Sequence, residues 1–300
     1  MYSSLLLFPV KLEGKKIIVL DETLLPFKEG YIKVDSLEKA LDVLGSMKTR
    51  AFGQVLLFFY CCALFDSYSI AEITQRFKET RPTFDFELLA ALLEREVSGS
   101  KDILESVNKF IANFDFLRRR RMSRLAALLP NPAKVLTICN INGELIYLYE
   151  ELKKLSKECI FYVSETRPYL QGTRLTFWEL RKNNIPAYLI CDNQAASVMK
   201  DGKVNCVVTG ADRATTKGDI INKVGTYALA RLAKYFGIPF YTLVQYPKDI
   251  DVSSIVIEER PSSEVFMFLE EGSAGIDAVY PSFDIVTSNL VTKQINILGQ

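Results

Sequence analysis

The sequence predicts an α/β protein: a Rossmann-like, doubly wound parallel sheet in a C-terminal domain, preceded by an N-terminal, mainly helical subdomain. Two observations predict this. After Pro130, short β-branched runs alternate with amphipathic stretches, and before it apolar residues recur at helical spacing over long segments. Continuous apolar strands interleaved with helices imply a sheet covered on both faces. The expected boundary lies near residue 130, giving domains 1–129 and 130–300.

The opening residues read as a strand, KKIIVLDE (Lys15 to Glu22), followed by proline- and glycine-punctuated chain. From Ser36 the texture turns helical: Ser36 is placed as an N-cap with Glu38 in the first turn, and helical spacing continues to Phe65. Arg81 to Val97 makes another helix, and Ile103 to Leu129 a long one. Beyond PNPAK come five strand candidates, KVLTIC, CIFYVSE, IPAYLIC, VNCVVTG and IPFYTLV. Helical segments such as GELIYLYEELKKL and GTRLTFWELRKN lie between most of them.

Composition narrows the function. With 300 residues, 49% hydrophobic and 24% charged, the chain is an ordinary globular one long enough for two unequal domains. Lys+Arg 37 against Asp+Glu 36 leaves a net charge of +1, so no global field favours nucleic acid or a membrane surface. The apolar run Val55 to Leu64 is too short to cross a bilayer, and Met1 to Val10 lacks the pattern of a signal peptide. The expected address is cytoplasmic. Six cysteines without a C-x-x-C pair read as reduced thiols, neither a disulfide framework nor a zinc site. There is no histidine. Ser-His-Asp and Cys-His mechanisms and histidine-bound metals are thereby excluded, leaving carboxylates, thiols, lysines and tyrosines for acid–base work.

In open α/β sheets ligands bind beyond the carboxyl ends of the strands. The residues there are Cys139-Asn140, Glu165-Thr166-Arg167, Asp192-Asn193, Gly210-Ala211-Asp212-Arg213 and Gln245-Tyr246. Most have an ordinary structural role available. Asp192 is expected to cap a short helix, Cys139 fits a buried small hydrophobe, and Asp219 and Asn222 fit caps of the helix that runs to Tyr235. Asp212 stands out, because Gly210 lets the chain turn sharply after VVT and so places a carboxyl at the low-dielectric mouth of the sheet. Desolvation there would disfavour its charged form while Arg213 pulls the other way, which makes it the leading acid–base candidate.

GADRATTKGDIINKVGTYALARLAKYFGIPFY (Gly210 to Tyr241) resembles the signature of methylthioribose-1-phosphate isomerases, relatives of the regulatory subunits of translation initiation factor 2B. VSETRPYLQGTRLTFWEL, LICDNQAA, IVIEERPSSEV, PSFDIVTSNLVT and the opening LDETLLPFKEGYIKV have counterparts in the same family. The resemblance implies aldose–ketose isomerisation of 5-methylthioribose 1-phosphate, a phosphorylated pentose, in methionine salvage, with no cofactor or metal and a homodimer as the expected assembly. By resemblance Cys139 and Asp212 form the acid–base pair, with Arg50, Ala51, Arg95, Gln171, Asn222 and Lys223 binding substrate. Asn222 and Lys223 are placed at a helix N-terminus, where backbone amides and a lysine favour an anion. Two other readings stand beside this one: a non-catalytic regulatory or sugar-phosphate-sensing paralogue like the initiation-factor relatives, and a ribose-1,5-bisphosphate isomerase.

Departures from the family pattern fall around the site. Where the family has Val-Arg-Gly-Ala-Pro, this chain has Thr49-Arg50-Ala51-Phe52-Gly53, so the arginine stays and the glycine after it is lost. The run after Cys139 is one residue longer than the family's and leads into Glu144, and Arg95 matches its counterpart only two positions late. Glu144 either repels a phosphate or serves its own helix N-terminus. Arg118 to Arg121, four arginines at about 100° per residue, fan around a helix and read as a solvated or interface segment with no nucleic-acid role.

Overall fold

A computed structural model describes residues 2–82, 84–97, 102–267 and 277–299. The chain divides into two compact units, residues 4–116 and residues 117–300 with the first three. The division falls inside a long helix, ahead of the change of texture at Pro130.

The first unit opens with an antiparallel meander of β1 (Val10–Glu13), β2 (Lys16–Leu20) and β3 (Tyr31–Val34). The strand expected over Lys15 to Glu22 ends at Leu20, leaving Asp21 and Glu22 in the turn beyond it. The helical stretch after Ser36 is two helices, α1 (Leu37–Gly45) and α2 (Phe52–Leu64), broken where Met47 and Ala51 take positive φ. Ser36 caps α1 by accepting from the Lys39 N–H. Next come α3 (Ile70–Thr80) and α4 (Phe86–Val97). The helix predicted from Arg81 begins only at Phe86, and Thr83 lies outside the described residues. Phe58, Phe77 and Phe86 pack as a cluster with ring centroids 5.1–5.5 Å apart, locking α2, α3 and α4 together.

The long helix α5 (Ile103–Leu128) leads into the second unit. There β4 (Ala133–Thr137), α6 (Glu144–Lys154), β5 (Cys159–Ser164), a π-helical turn at Gly172–Phe177, α7 (Trp178–Lys182), β6 (Ala187–Ile190), α8 (Ala195–Lys200) and β7 (Cys206–Gly210) follow in order. The chain then makes a small antiparallel arm, β8 (Arg213–Ala214) with β9 (Ile220–Lys223), before α9 (Thr226–Phe236) and β10 (Phe240–Val244). Finally β11 (Phe283–Val286) pairs with β9, and β12 (Lys293–Asn296) pairs with β10.

Among the described residues the main sheet has six strands in the order β12-β10-β7-β4-β5-β6, every neighbouring pair parallel. All five predicted strands lie in it. The sixth, KQIN at the edge, was not predicted: three of its four residues are polar and only Ile295 is buried. Strand order reverses between β4 and β7, and the carboxyl ends of that pair carry Cys139 and Asp212. Leu136, Val207, Ala230 and Phe240, all at most 1% exposed, anchor the core beneath.

Candidate active site

Cys139 sits two residues beyond the central strand β4 with φ 65°, in the left-handed region that side chains disfavour. Holding a non-glycine residue there costs about 1–3 kcal/mol, so surrounding bonds must fix it. The Cys139 N–H donates to Thr166 Oγ1 at 2.8 Å, and the Cys139 carbonyl accepts from Thr176 Oγ1 at 2.7 Å. The turn continues through Asn142 and Gly143, both at positive φ, into α6. A half-buried thiol is thus presented on a sharp strand-to-helix turn. It does not lie in the sheet's interior as Cys159 and Cys206 do, whose thiols burial pushes well up. The six cysteines form no disulfide.

β7 lies beside β4 in parallel register, Leu136 opposite Val207, so the chain beyond both strands emerges at the same edge. Asp212 follows there, and its N–H donates to the Ile221 carbonyl at 2.9 Å, placing it beside the β9 arm that carries Asn222 and Lys223. Two expectations are corrected. Asp212 is exposed in the bend between β7 and the arm, so the protein itself does not desolvate the carboxyl. Gly210 remains within β7 and does not make the turn: a Cβ there would meet only Ile141 Cγ2, at 4.0 Å.

Asn222 and Lys223 also differ from expectation, since they close a strand and α9 begins later, at Thr226 behind Gly225. The helix N-terminus is already occupied by the Asp284 carboxylate, which accepts from the Gly225 and Tyr227 N–H groups at 2.8 and 2.9 Å. Asp219 accepts from the Ser288 N–H. Buried Asn222 donates to Thr226 Oγ1 at 2.9 Å, and the Lys223 ammonium lies 4.6 Å from the Phe283 ring centroid. Gln171 is buried directly before the π-helical turn, and its Oε1 has no hydrogen-bond partner among the described residues. Cys139, Gln171, Asp212, Asn222 and Lys223 therefore share one unit.

Asp192 does not cap its own helix. Its carboxylate accepts from Ser164 Oγ at 2.5 Å and from the Thr166 and Arg167 N–H groups at 2.9 and 2.7 Å, fixing the segment after β5. Sequence reading names Thr166 at a strand end without giving it a role and misses Thr176, although both lie in a stretch that carries the family resemblance.

The arginine run is half buried, contrary to the solvated reading. Arg118 and Arg121 are 1% and 0% exposed, because residues three apart return to the same face of a helix. Arg121 Nη2 contacts both Glu144 carboxylate oxygens at 2.5 and 2.7 Å, Arg118 Nε lies 3.4 Å from Glu144, and Arg121 also donates to the Val244 carbonyl at 2.9 Å. Arg118 reaches the Asn142 carbonyl in the Cys139 turn. Glu144 is thus enclosed between two guanidinium groups, which resolves its two readings: its charge is matched inside the protein.

In the residue 4–116 unit, Arg50 and Ala51 stand at the start of α2 and Arg95 is exposed in the last turn of α4. Ala51 takes φ 43°, so the strained turn is kept without glycine. Buried Glu22 holds it: Oε1 accepts from Thr49 Oγ1 at 2.7 Å and from the Arg50 N–H at 3.0 Å, while Oε2 has no partner among the described residues. Burial pushes the Glu22 carboxyl up to about 7, against the lowering pull of these bonds and of the Arg50 charge. Glu22 lies in the stretch LDET that resembles the family opening, but its role was not legible there. Gly53 packs so closely on Thr49 that a Cβ would fall 1.9 Å from its Oγ1.

Among the described residues no group of histidine, cysteine, aspartate and glutamate side chains is arranged to hold a metal ion, and no helix is long and apolar enough to cross a membrane. The model for the initiation factor 2 subunit family matches residues 67–300. The methylthioribose-1-phosphate isomerase of Anaeromyxobacter sp. is 34% identical, covering 96% of this chain and 92% of its own. The enzyme of the same name from Petrotoga mobilis is 35% identical over 94% and 91%. The crystal structure of 5-methylthioribose 1-phosphate isomerase from Pyrococcus horikoshii superposes with TM-score 0.84 at 26% identity, covering 99% and 94% of the two chains. That of the δ subunit of initiation factor 2B from A. fulgidus superposes at 0.79 and 27% identity, over 97% and 94%. With this coverage from both sequence and fold, the chain belongs to the initiation factor 2 subunit family, among the methylthioribose-1-phosphate isomerases.

Proposed function

We infer that this protein is an aldose–ketose isomerase that converts 5-methylthioribose 1-phosphate to 5-methylthioribulose 1-phosphate. The observation that carries the reading is a cysteine held on a strained turn at the carboxyl end of β4, beside the strand that leads to Asp212, in a chain one-third identical to enzymes of that name. The reaction needs no change in overall redox state. The bond between C1 and the ring oxygen breaks, the hydrogen at C2 is transferred to C1, and the C2 hydroxyl becomes a carbonyl as its proton is lost. The ring oxygen gains a proton, so atoms balance.

In this reading the Cys139 thiolate removes the C2 proton and returns it at C1, and Asp212 supplies the proton to the ring oxygen. Asp212 is exposed in the protein alone, so the desolvation that an acid at neutral pH requires arrives with the substrate. Gln171, whose buried Oε1 has no partner among the described residues, accepts from a sugar hydroxyl, and Asn222 and Lys223 serve the sugar and phosphate.

Incubating the protein with 5-methylthioribose 1-phosphate and following the carbon spectrum by NMR tests this. A ketone resonance growing with turnover is the expected outcome. Thermal stabilisation by the sugar phosphate without any ketose would favour the regulatory reading over it.

A further inference from the structure

We propose that Thr166 and Thr176 are positioning residues that clamp Cys139 from both sides and hold its thiol at the mouth of the sheet. This rests on the reading of Cys139 as the proton-transferring base. Both threonines are fully buried, and they bind the two peptide groups of the same strained residue, one through its N–H and one through its carbonyl. A left-handed residue with only one of these bonds would have a lower barrier to relaxing into extended chain, continuing β4 and turning the thiol away.

Each threonine is itself fixed. Thr166 has φ 67°, donates its own hydroxyl hydrogen to the Ser164 carbonyl at 3.0 Å, and is tied by its N–H to Asp192 at 2.9 Å. Its Oγ1 therefore has an assigned donor role, which leaves a lone pair aimed at the Cys139 N–H. Thr176 lies in the π-helical turn Gly172–Phe177, where the widened backbone spacing changes the direction in which the hydroxyl points. That turn reaches the strand end only because Gly172 has no side chain: a Cβ would fall 1.8 Å from the Ser164 carbonyl oxygen and 2.8 Å from Thr166 Oγ1. Two separate segments thus converge on one cysteine.

The test uses the full chain with Thr166→Val and Thr176→Val, which keep the shape and remove the hydrogen bond, and Thr176→Ser, which keeps the hydroxyl. Each valine variant is expected to lower kcat about tenfold to a hundredfold with KM within about twofold, the signature of a misplaced base with intact binding. Thr176→Ser restores turnover. Alkylation of the Cys139 peptide by iodoacetamide, read by mass spectrometry across pH, should slow, and its midpoint should move upward as the thiol turns inward. Valine variants that melt like the parent and keep both kcat and the alkylation profile overturn the proposal. Should Thr166→Val fail to fold, Thr176→Val decides it alone. The alkylation profile is independent of turnover, so a fully active Cys139→Ser would end the reading of Cys139 as base while the profile still judged the clamp.

Discussion

Glu22→Gln should remove a pH-dependent cost from the residue 4–116 unit. The Glu22 carboxyl moves from its ordinary 4.5 to about 7, chiefly through burial, and its Oε2 has no partner among the described residues. A carboxyl with a raised folded pKa holds its proton more firmly in the folded state. Its stabilising contribution is complete below the unfolded value and is lost as pH rises through the folded one. A shift of about 2.5 units corresponds to roughly 3 kcal/mol, of which roughly 2.5 kcal/mol falls between about pH 5 and about pH 8. Glutamine keeps an oxygen for Thr49 and the Arg50 N–H but has no charge to desolvate, so its own penalty is the same at every pH. The stability difference between variant and parent should therefore swing toward the variant by that amount over the range. Native-state hydrogen exchange of α2 peptides reads it locally, since the single tryptophan, Trp178, lies in the other unit. A difference that stays constant from acid to alkaline pH would refute a buried, proton-holding Glu22.

Two further outcomes follow from the second unit. Glu144→Gln leaves Arg118 and Arg121 buried without their shared carboxylate and should cost about 3–5 kcal/mol in urea unfolding, whereas an exposed pair would lose less than about 1 kcal/mol. Gly172→Ala places a methyl group against the Ser164 carbonyl, so it should displace the π-helical turn and lower turnover more than it lowers the melting temperature; a fully active variant would contradict that close approach.

The sheet was legible because five of its six strands are continuous apolar runs between amphipathic helices, a pattern that burial on both faces dictates for the four inner ones. Edge strand β12 escaped because three of the four residues of KQIN are polar, whereas β6 at the other edge, AYLI, is hydrophobic throughout. The β8–β9 arm escaped for a related reason: DIINK is short, and the helical pattern beginning at Thr226 was extended back over it. Cys139 and Asp212 were placed because strand ends can be located from sequence, the role of Cys139 coming only from the family resemblance. Their surroundings were not, because they depend on contacts across 27 residues to Thr166 and 37 to Thr176. The buried arginines were misread by treating four residues as a fan, when the i, i+3 pair within it shares one face and meets Glu144 twenty-three residues on from Arg121.

The most direct measurement of the central claim is the rate of ketose formation from 5-methylthioribose 1-phosphate by the parent, Cys139→Ser and Asp212→Asn, each shown to be folded by its melting curve. The account predicts turnover by the parent and a loss of at least about a hundredfold in kcat for each variant, with the substrate still stabilising all three against heat. Undiminished turnover by either variant, or none by the folded parent, would contradict it.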